Sequence, residues 1–369
     1  MKDRVRRLFS QISPKVDRLL IGNATEPHLD QTFFYLFDVP GGLFEGSWLV
    51  AEPEGTVHVL TSQLEEESAR QAARSDPGVE VHAWGSREER ERLLTDLVPA
   101  SASVGLNYRE LTHEQFLQLG STFPKAKWAD ASNAVRKTRQ IKDASEIERL
   151  GRAGAIGSRV AQKIPGLLRR GATELEVAAE IEYAMNREGA SGRSFGTIVG
   201  FGPASAEPHY APQDRRLEPG SSIVCDFGAF TLRYASDITR SFRFGPTDPE
   251  LKKVHETVLA AQQAALAVLK PGVPAKDVHL AAQRVVDASP WKGRFTHGLG
   301  HSIGLAVHDG FAMNPTVDEP IETGMTITVE PGIYLPGRGG VRIEDDVVVT
   351  SNGYRFLTTA PREYLEVGA

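Results

Sequence analysis

The chain of 369 residues carries 42 lysines and arginines against 48 aspartates and glutamates, a formal net charge of −6. This balance argues against a surface that binds nucleic acid. With 40% hydrophobic and 24% charged residues, the composition is that of a globular protein, and the length suggests about two domains at roughly 150 residues each.

The cysteine content and the N-terminus indicate the compartment. Cys225 is the only cysteine, which excludes an intrachain disulfide and favours a reducing environment; its simplest role is a small buried residue. The basic start (Lys2, Arg4, Arg6, Arg7) is not followed by a long apolar stretch, so we expect no signal peptide. No apolar run is long enough to cross a bilayer. The sequence predicts a cytoplasmic protein that binds neither membranes nor nucleic acid.

Residues 1–135 predict a small α/β domain in which strand-like runs alternate with polar helical segments. The predicted strands are Gln31–Phe37, Ser47–Val50, Thr56–Thr61, Val79–Ala83 and Ser103–Leu106. The predicted helices include Gln63–Ala73 and Arg87–Leu97.

A charged segment, Arg136–Asp143, follows this domain and is most simply a solvated helix face. Ser145 and Glu148 then have the spacing of a capping box that opens a helix. These signals place the domain boundary near residue 135, with a second domain over residues 136–369.

The second domain contains an internal repeat at a shift of about 100 residues. Leu217–Gly228 aligns with Ile321–Gly332 over twelve positions without a gap, and Asp226 falls on Glu330. Glycines also pair, Gly171 with Gly272 and Gly220 with Gly324. The repeat predicts a duplicated α/β unit; the alternative is chance similarity between two turn–strand segments.

Four acidic residues stand at the ends of apolar strands. Asp226 and Asp237 flank one short turn, and Glu330 and Glu344 flank Pro336–Gly340 in the same way. Four unpaired carboxylates would repel one another and be costly to bury, whereas divalent cations would neutralise them. Two ions about 3.5–4 Å apart would share a water and lower its pKa, which yields a hydroxide near neutral pH.

The glycine-rich stretch His297–Gly304 offers a nitrogen ligand to the same pocket. His297 and His301 have the spacing of a zinc-protease helix, but the intervening glutamate is absent and the glycines argue against a helix. One imidazole with four carboxylates suits manganese or cobalt better than structural zinc.

Each residue also has a plain structural alternative. Asp226 could be a strand-end acid, Glu330 a turn residue, His209 a surface histidine and Glu344–Asp346 a solvated acidic patch. The order Asp, Asp, His, Glu, Glu in a matching strand and glycine context favours one shared pocket.

This order resembles the pita-bread metallopeptidase family, of the creatinase, prolidase and aminopeptidase P type. The resemblance covers about Ile141 to Leu357, and residues 1–135 resemble the creatinase-type N-terminal domain. The motifs that carry it are Pro208–Tyr210, Val224–Gly228, Ser236–Arg240, His297–His308, Thr328–Gly332 and Val341–Asp345. The resemblance implies a mixed α/β (α+β) fold in which this small domain precedes a pseudo-twofold pita-bread catalytic domain.

The resemblance also implies a ligand set for two divalent ions, with Mn²⁺ expected and Co²⁺ or Zn²⁺ as alternatives. The implied ligands are Asp226, Asp237, His301, Glu330 and Glu344. Asp237 and Glu344 would bridge the ions, and a metal-bridging hydroxide would attack the scissile carbonyl.

Further roles concern the substrate. Glu330 would shuttle a proton, and the resemblance places His209 and His308 where they hydrogen-bond the substrate or the tetrahedral intermediate. His297 is a further pocket candidate. Arg342, two residues before Glu344, lies on the same strand face and is expected to pair with a ligand carboxylate.

Substrate length depends on an anchor for a terminal carboxylate. The segment Asp309–Thr316, where we expect a basic anchor by resemblance to prolidases, has none. Arg338 is the candidate replacement, with a solvated loop arginine as its alternative. Asp38 begins a loop that could wall off longer peptides, within one chain or in a dimer.

The resemblance is nearest to an Xaa-Pro dipeptidase (prolidase) that acts on small peptides with proline second. The alternatives are an aminopeptidase P, which releases the N-terminal residue of longer Xaa-Pro peptides, and a metal-free binding protein of the same fold. A dinucleotide site is discarded because Gly200–Gly202 and Gly298–Gly300 lack the required spacing. A homodimer is the family expectation.

Overall fold

The computed structural model describes residues 1–246 and 248–368, which fall into two units, Met1–Arg139 and the residues from Gln140 onward. Both units mix helices and strands, as the sequence predicted. Within the described residues, no helix is both long and apolar enough to cross a membrane.

The helices of the N-terminal unit are mostly short and amphipathic. They are α1 (Lys2–Gln11), α2 (Gln31–Phe37), α3 (Glu66–Ala73), α4 (Arg87–Leu97), α5 (His113–Thr122) and α6 (Ser132–Gln140), which ends at the boundary.

The strand prediction for Gln31–Phe37 was wrong, because this segment forms α2. Its residues are mostly aromatic and buried, as in a core strand. Because the helix is buried on all sides, the sequence lacks the alternation of polar and apolar faces that identifies a helix. The deciding signal is Asp30, whose carboxylate accepts a hydrogen bond from the Thr32 backbone N–H at 2.7 Å and caps the helix. The helix ends at Asp38, which has a left-handed φ of 58°.

The strands of the N-terminal unit, all within the described range, form one six-stranded mixed sheet of order β4-β3-β2-β1-β5-β6. They are β1 (Arg18–Gly22), β2 (Trp48–Ala51), β3 (Val57–Ser62), β4 (Val79–Trp84), β5 (Ser103–Leu106) and β6 (Lys127–Asp130). β2 runs antiparallel to β1 and β3, whereas the β3–β4, β1–β5 and β5–β6 pairs are parallel. One face packs a core that includes Leu20, Trp48 and Val104.

The second unit contains longer helices that pack on strand hairpins. They are α7 (Ala144–Ala161), α8 (Ile164–Leu167), α9 (Glu174–Arg187), α10 (Pro249–Val268) and α11 (Ala275–Asp287), with a 3₁₀ helix at Gly202–Ala206.

The capping box of α7 lies two residues earlier than predicted. Asp143, not Ser145, is the cap residue, and its partner is Glu146 rather than Glu148. The prediction that Arg136–Asp143 is a solvated face is also wrong at its end. Lys142 is buried, with Nζ 3.4 Å from Asp309 Oδ2, because the chain here runs along the interior of the second unit.

The strands of the second unit form several small sheets, the largest with order β20-β12-β9-β8. The strands of the first half are β7 (Gly192–Arg193), β8 (Ile198–Phe201), β9 (Ser222–Phe227), β10 (Ala229–Thr231), β11 (Tyr234–Ala235) and β12 (Ile238–Phe244). Those that follow are β13 (Gly300–His301), β14 (Ala312–Met313), β15 (Thr326–Val329), β16 (Gly332–Leu335), β17 (Gly339–Arg342), β18 (Asp345–Thr350), β19 (Gly353–Phe356) and β20 (Glu366–Val367).

The repeated segments share their backbone hydrogen bonds. The Gly171 N–H donates to the Leu217 carbonyl at 2.9 Å, and the Gly272 N–H donates to the Ile321 carbonyl at 2.8 Å. Each glycine has a positive φ, 79° and 87°, which favours glycine because it lacks a Cβ. Each half also has its own apolar cluster. The sequence repeat therefore corresponds to two similar helix–helix–hairpin units.

We predict opposite stability changes for two glycines of α7. A Cβ at Gly154 would stand against the Leu357 backbone carbonyl, inside van der Waals contact, whereas a Cβ at Gly151 would meet no described atom within 4 Å. Gly154→Ala should lower the free energy of unfolding by about 1–3 kcal/mol, and Gly151→Ala should raise it by roughly 0.5–1 kcal/mol. Urea denaturation of both variants measures this, and equal changes would contradict the packing described.

Candidate metal centre

The first pair of acidic residues lies on the β9–β12 hairpin of the second unit. Asp226 is near the end of β9 and pairs in register with Thr239, and Asp237 directly precedes β12. Both strands are buried along nearly their whole length, so the fold holds both carboxylates inside the unit. Cys225, beside Asp226, is also buried, and burial raises the pKa of its thiol.

The second pair lies on the equivalent hairpin. Glu330 follows β15 and Glu344 precedes β18. The register pairs Gly332 with Arg342, and on the other side Val329 with Asp345, which places Glu330 directly opposite Glu344.

The two hairpins are hydrogen-bonded to each other around these acids. The Asp237 backbone N–H donates to Asp346 Oδ2 at 2.9 Å, and the Thr239 hydroxyl donates to Glu344 Oε2 at 2.6 Å. The Arg240 guanidinium donates to the Glu344 carbonyl at 2.6 Å. These bonds fix the acids of one half against those of the other.

The four acids face a cavity of about 120 Å³. Its lining brings together the metal ligands expected from the sequence with His209, His308 and Arg342. The lining residues are Phe195, Ile198, Pro208, His209, Asp226, Asp237, His301, Val307, His308, Glu330, Arg342 and Glu344. Asp38 belongs to the N-terminal unit, so its substrate role stays a prediction.

His301 presents one ring nitrogen to the acids. Its Nδ1 lies 3.3 Å from the Ser302 carbonyl, which can only accept, so Nδ1 carries the proton. Nε2 then has a free lone pair and lies 3.7 Å from Asp237 Oδ2 and 3.5 Å from Glu330 Oε1. Ligand atoms of Asp237, His301 and Glu344 all lie within 4.8 Å of one another.

Three of the carboxylates each keep a buried oxygen without a hydrogen bond from any described residue. These atoms are Asp226 Oδ1, Asp237 Oδ1 and Glu344 Oε1. On Asp226 and Glu344 the other oxygen is held, by Arg342 Nη2 and by the Thr239 hydroxyl, each at 2.6 Å. Buried polar atoms normally have partners, and oriented carboxylate oxygens beside an imidazole lone pair are a donor set for divalent cations. The residues therefore fit the metal ions that the sequence implies.

The raised pKa values of the buried carboxyl groups are consistent with a site for cations. Burial, together with the neighbouring Glu344 charge, raises the pKa of Asp237 well above its usual range. Burial and the Glu330 charge do the same for Glu344. Burial raises the pKa of Glu330 itself to about 8. Without cations these carboxyls resist ionisation, because their charges would be buried close together.

Arg342 connects Asp226, a predicted ligand, to residues outside the cavity. Its Nη2 donates to Asp226 as given above, its Nε donates to the Thr239 hydroxyl at 3.0 Å, and its Nη1 donates to the Tyr334 hydroxyl at 3.0 Å. The sequence predicted a carboxylate partner for Arg342 but gave no indication of Tyr334.

His297, which the sequence made a pocket candidate, is not among the described residues that line the cavity. Its Nδ1–H donates to the Gly298 carbonyl at 2.8 Å, so its Nε2 accepts from the Tyr334 hydroxyl at 2.8 Å. Burial lowers the pKa of this imidazole to about 4. With both nitrogens engaged and the ring absent from the described cavity lining, His297 supports Tyr334 and, through it, Arg342.

Arg338 also departs from the prediction. Its guanidinium pairs with Asp248 and with Glu250, the latter at 2.7 Å, near the start of α10. It is not among the described residues that line the cavity. These ion pairs could not be predicted from the sequence, because both partners lie about 90 residues earlier in the chain.

His209 and His308 are exposed and stand at the mouth of the cavity. The His308 ring packs edge-on against His301 with centroids 4.2 Å apart. Partial burial and then the neighbouring His209 lower the pKa of His308. The ring nitrogens of these two histidines are therefore available for hydrogen bonds at the entrance.

Sequence reasoning missed several residues of the site. Asp346 is buried behind Asp237, not part of a solvated acidic patch. Thr239 and Asp346 each lie two residues beyond a predicted ligand, so strand alternation could have identified them. Phe195 and Ile198 come from a preceding segment for which the sequence carried no signal.

Comparisons with known proteins follow the two-unit division. A model of metallopeptidase family M24 matches residues 148–351, and a model of the creatinase/prolidase N-terminal domain matches residues 15–141. An uncharacterized peptidase of Staphylococcus aureus (strain USA300) is 37% identical over 248 residues, which cover 67% of this chain and 71% of that protein.

Solved structures resemble the whole chain. An Xaa-Pro dipeptidase from Bacillus anthracis is 30% identical with a TM-score of 0.90, and the match covers 99% of both chains. An X-Pro aminopeptidase from Thermotoga maritima MSB8 is 34% identical with a TM-score of 0.88, over 99% of this chain and 100% of that one.

The raised carboxyl pKa values predict how the metal-stripped protein responds to pH. Unfolded Glu titrates near 4.3, whereas folded Glu330 titrates at about 8. The folded state therefore binds this proton more tightly, and its stabilising effect is lost as pH rises through 8. In chelator, Tm should fall from pH 7 to pH 9, and Mn²⁺ should restore it.

The matched control for this experiment is Glu330→Gln in the same chelator. Removing one shifted carboxyl should make the fall in Tm shallower. A chelated wild-type protein whose Tm stays level or rises between pH 7 and pH 9 would refute the description of the buried acids.

Proposed function

The chain belongs to metallopeptidase family M24, and from that premise we propose that it hydrolyses dipeptides whose second residue is proline. The observation that supports it most is the set of bare, buried carboxylate oxygens of Asp226, Asp237 and Glu344 in one cavity with the His301 lone pair. The complete donor set favours an enzyme over the alternative of a metal-free binding protein.

The proposed ligands are Asp226, Asp237, His301, Glu330 and Glu344, with Asp237 and Glu344 shared between two ions. Two divalent ions held there would neutralise the acids and supply a hydroxide nucleophile near neutral pH. Four carboxylates with one imidazole suit Mn²⁺, with Co²⁺ or Zn²⁺ as alternatives.

Glu330 is the proposed proton carrier. Its Oε1 accepts from the Thr328 hydroxyl at 3.2 Å, which orients the carboxylate toward the cavity and leaves Oε2 for the substrate. The carboxylate would take a proton from the nucleophilic water and deliver it to the departing proline nitrogen. General acid–base transfer of this kind contributes about 10²–10⁴-fold to a rate.

His209 and His308 are the proposed substrate contacts at the mouth. An imidazole N–H there would hydrogen-bond the scissile carbonyl oxygen as negative charge develops on it. Asp226, held by Arg342, would face the free α-amine of the substrate. An adjoining cavity of about 540 Å³ shares Phe195, Ile198 and His209 with the site, which gives room for substrate side chains.

The proposed proline preference and substrate length are based on the similarity of the chain to solved structures. The Bacillus anthracis neighbour is named for Xaa-Pro dipeptides and the Thermotoga maritima neighbour for X-Pro aminopeptidase activity, at similar TM-scores. Aminopeptidase P activity is therefore the second candidate. Arg338 does not support a specificity for dipeptides, because its guanidinium pairs with Asp248 and Glu250.

Asp38 and its loop remain the proposed wall against longer peptides. A homodimer, which the family resemblance implies, and a cytoplasmic location, which the sequence predicts, complete the proposal.

Ligand and contact variants should separate metal binding from turnover. Asp237→Asn and Glu344→Gln should abolish both activity and Mn²⁺ binding, because each removes a carboxylate proposed to hold both ions. His209→Ala should keep Mn²⁺ binding and lower kcat by about a hundredfold. Metal analysis and steady-state kinetics on the same preparations measure this; full activity in Glu344→Gln would exclude the centre.

Substrate length can be decided with Leu-Pro and Leu-Pro-Ala. A dipeptidase should hydrolyse Leu-Pro and leave Leu-Pro-Ala essentially intact, because a third residue would meet the excluding wall. Amino-acid analysis of the released leucine gives both rates, with Leu-Ala as the control for proline preference. Comparable kcat/KM for the tripeptide would establish the aminopeptidase instead.

A further inference from the structure

A cluster of polar side chains lies on one face of the N-terminal sheet, at its β4 edge. His58 on β3 pairs in register with Glu80 on β4, and His82 lies two residues after Glu80 on the same strand. Strand alternation therefore directs all three side chains to the same face. The cluster is inside the N-terminal unit and is not used by the proposed peptidase reaction.

The ligand atoms of this cluster converge. His58 Nδ1 lies 3.2 Å from His82 Nε2 and 3.3 Å from Glu80 Oε2, and His82 Nε2 lies 3.9 Å from that same oxygen. Zinc bound tetrahedrally at about 2.0–2.1 Å separates its ligand atoms by roughly 3.3 Å. Two of the three distances match this separation, and the third closes with a small rotation of Glu80, whose side chain is 58% exposed.

The other nitrogen of His58 faces a fourth residue. Glu52 Oε1 lies 3.9 Å from His58 Nε2, and the same carboxylate oxygen is 2.9 Å from Arg18 Nη2. A cation bound at Nδ1 would leave the His58 proton on Nε2, the side on which the Glu52 carboxylate lies. Metal-binding histidines commonly have such a carboxylate behind them.

A simple hydrogen bond between the two imidazoles is the competing explanation. Such a bond explains the distance between His58 and His82. It does not explain why the Glu80 carboxylate oxygen also lies close to His58 Nδ1. Partial burial, and then the neighbouring His58, lower the pKa of His82, so its ring is neutral and able to bind a cation.

We propose that His58, Glu80 and His82 form a Zn²⁺ site in the N-terminal unit, with water as the fourth ligand. Two imidazoles and one carboxylate are ligands that zinc accepts, and three protein ligands leave one open position. His58 is buried while Glu80 is exposed, so the open position faces solvent. The bound ion joins the edge strand β4 to β3, which supports the end of the sheet.

The test counts Zn²⁺ bound by the full-length chain after stripping with chelator and dialysis against Zn²⁺. His82→Ala should bind one ion fewer per chain than wild type. Glu80→Gln should weaken the same ion by at least about tenfold. His113→Ala, which removes an exposed histidine of the same unit, should bind as wild type does.

Three further measurements separate this site from the peptidase centre and from misfolding. Asp237→Asn, which alters the other unit, should retain the ion that His82→Ala loses. Both variants should show the far-UV circular dichroism of wild type, and His82→Ala should keep its activity on Leu-Pro in Mn²⁺. Equal Zn²⁺ content in wild type and His82→Ala, or no loss of affinity in Glu80→Gln, would overturn the site and leave a hydrogen-bonded histidine pair.

Discussion

The second unit depends on placing four carboxylates in one buried cavity of about 120 Å³. Like charges this close oppose ionisation, so the site requires compensating cations. The two hairpins bring Asp226 and Asp237 against Glu330 and Glu344. Hydrogen bonds from Arg342 and Thr239 hold one oxygen of Asp226 and Glu344 and leave the other bare. The duplicated hairpins position the four carboxylates, and the hydrogen bonds from Arg342 and Thr239 orient them.

Much of this could be predicted from sequence because duplication leaves a readable pattern. The twelve-residue alignment pairs Asp226 with Glu330, and in the structure both lie at the ends of equivalent buried strands. Glycine pairs marked the same positive-φ turns in both halves. Strand alternation placed Arg342 beside a ligand carboxylate, where it bonds Asp226. Local periodicity and short-range spacing were sufficient for these features.

Other features depend on contacts that spacing does not encode. The aromatic segment Gln31–Phe37 has no polar face, so its helix is indicated only by the Asp30 cap. Arg338 finds its acidic partners 90 residues away at Asp248, and His297 finds Tyr334 across 37 residues. For Arg338 and His297, a long-range partner competes with the role that nearby sequence suggested. The pair His58 and His82 was missed for the same reason, since only the parallel register of β3 and β4 joins them.

Four carboxylates buried in one cavity imply that the protein acts only with divalent ions bound. The most direct measurement is the rate of Leu-Pro hydrolysis by chelator-stripped enzyme as Mn²⁺ is added back in known equivalents. The stripped enzyme should be inactive, and the rate should reach its maximum at about two Mn²⁺ per chain, as a two-metal site requires. Full activity in chelator, with no bound metal by elemental analysis, would contradict the account.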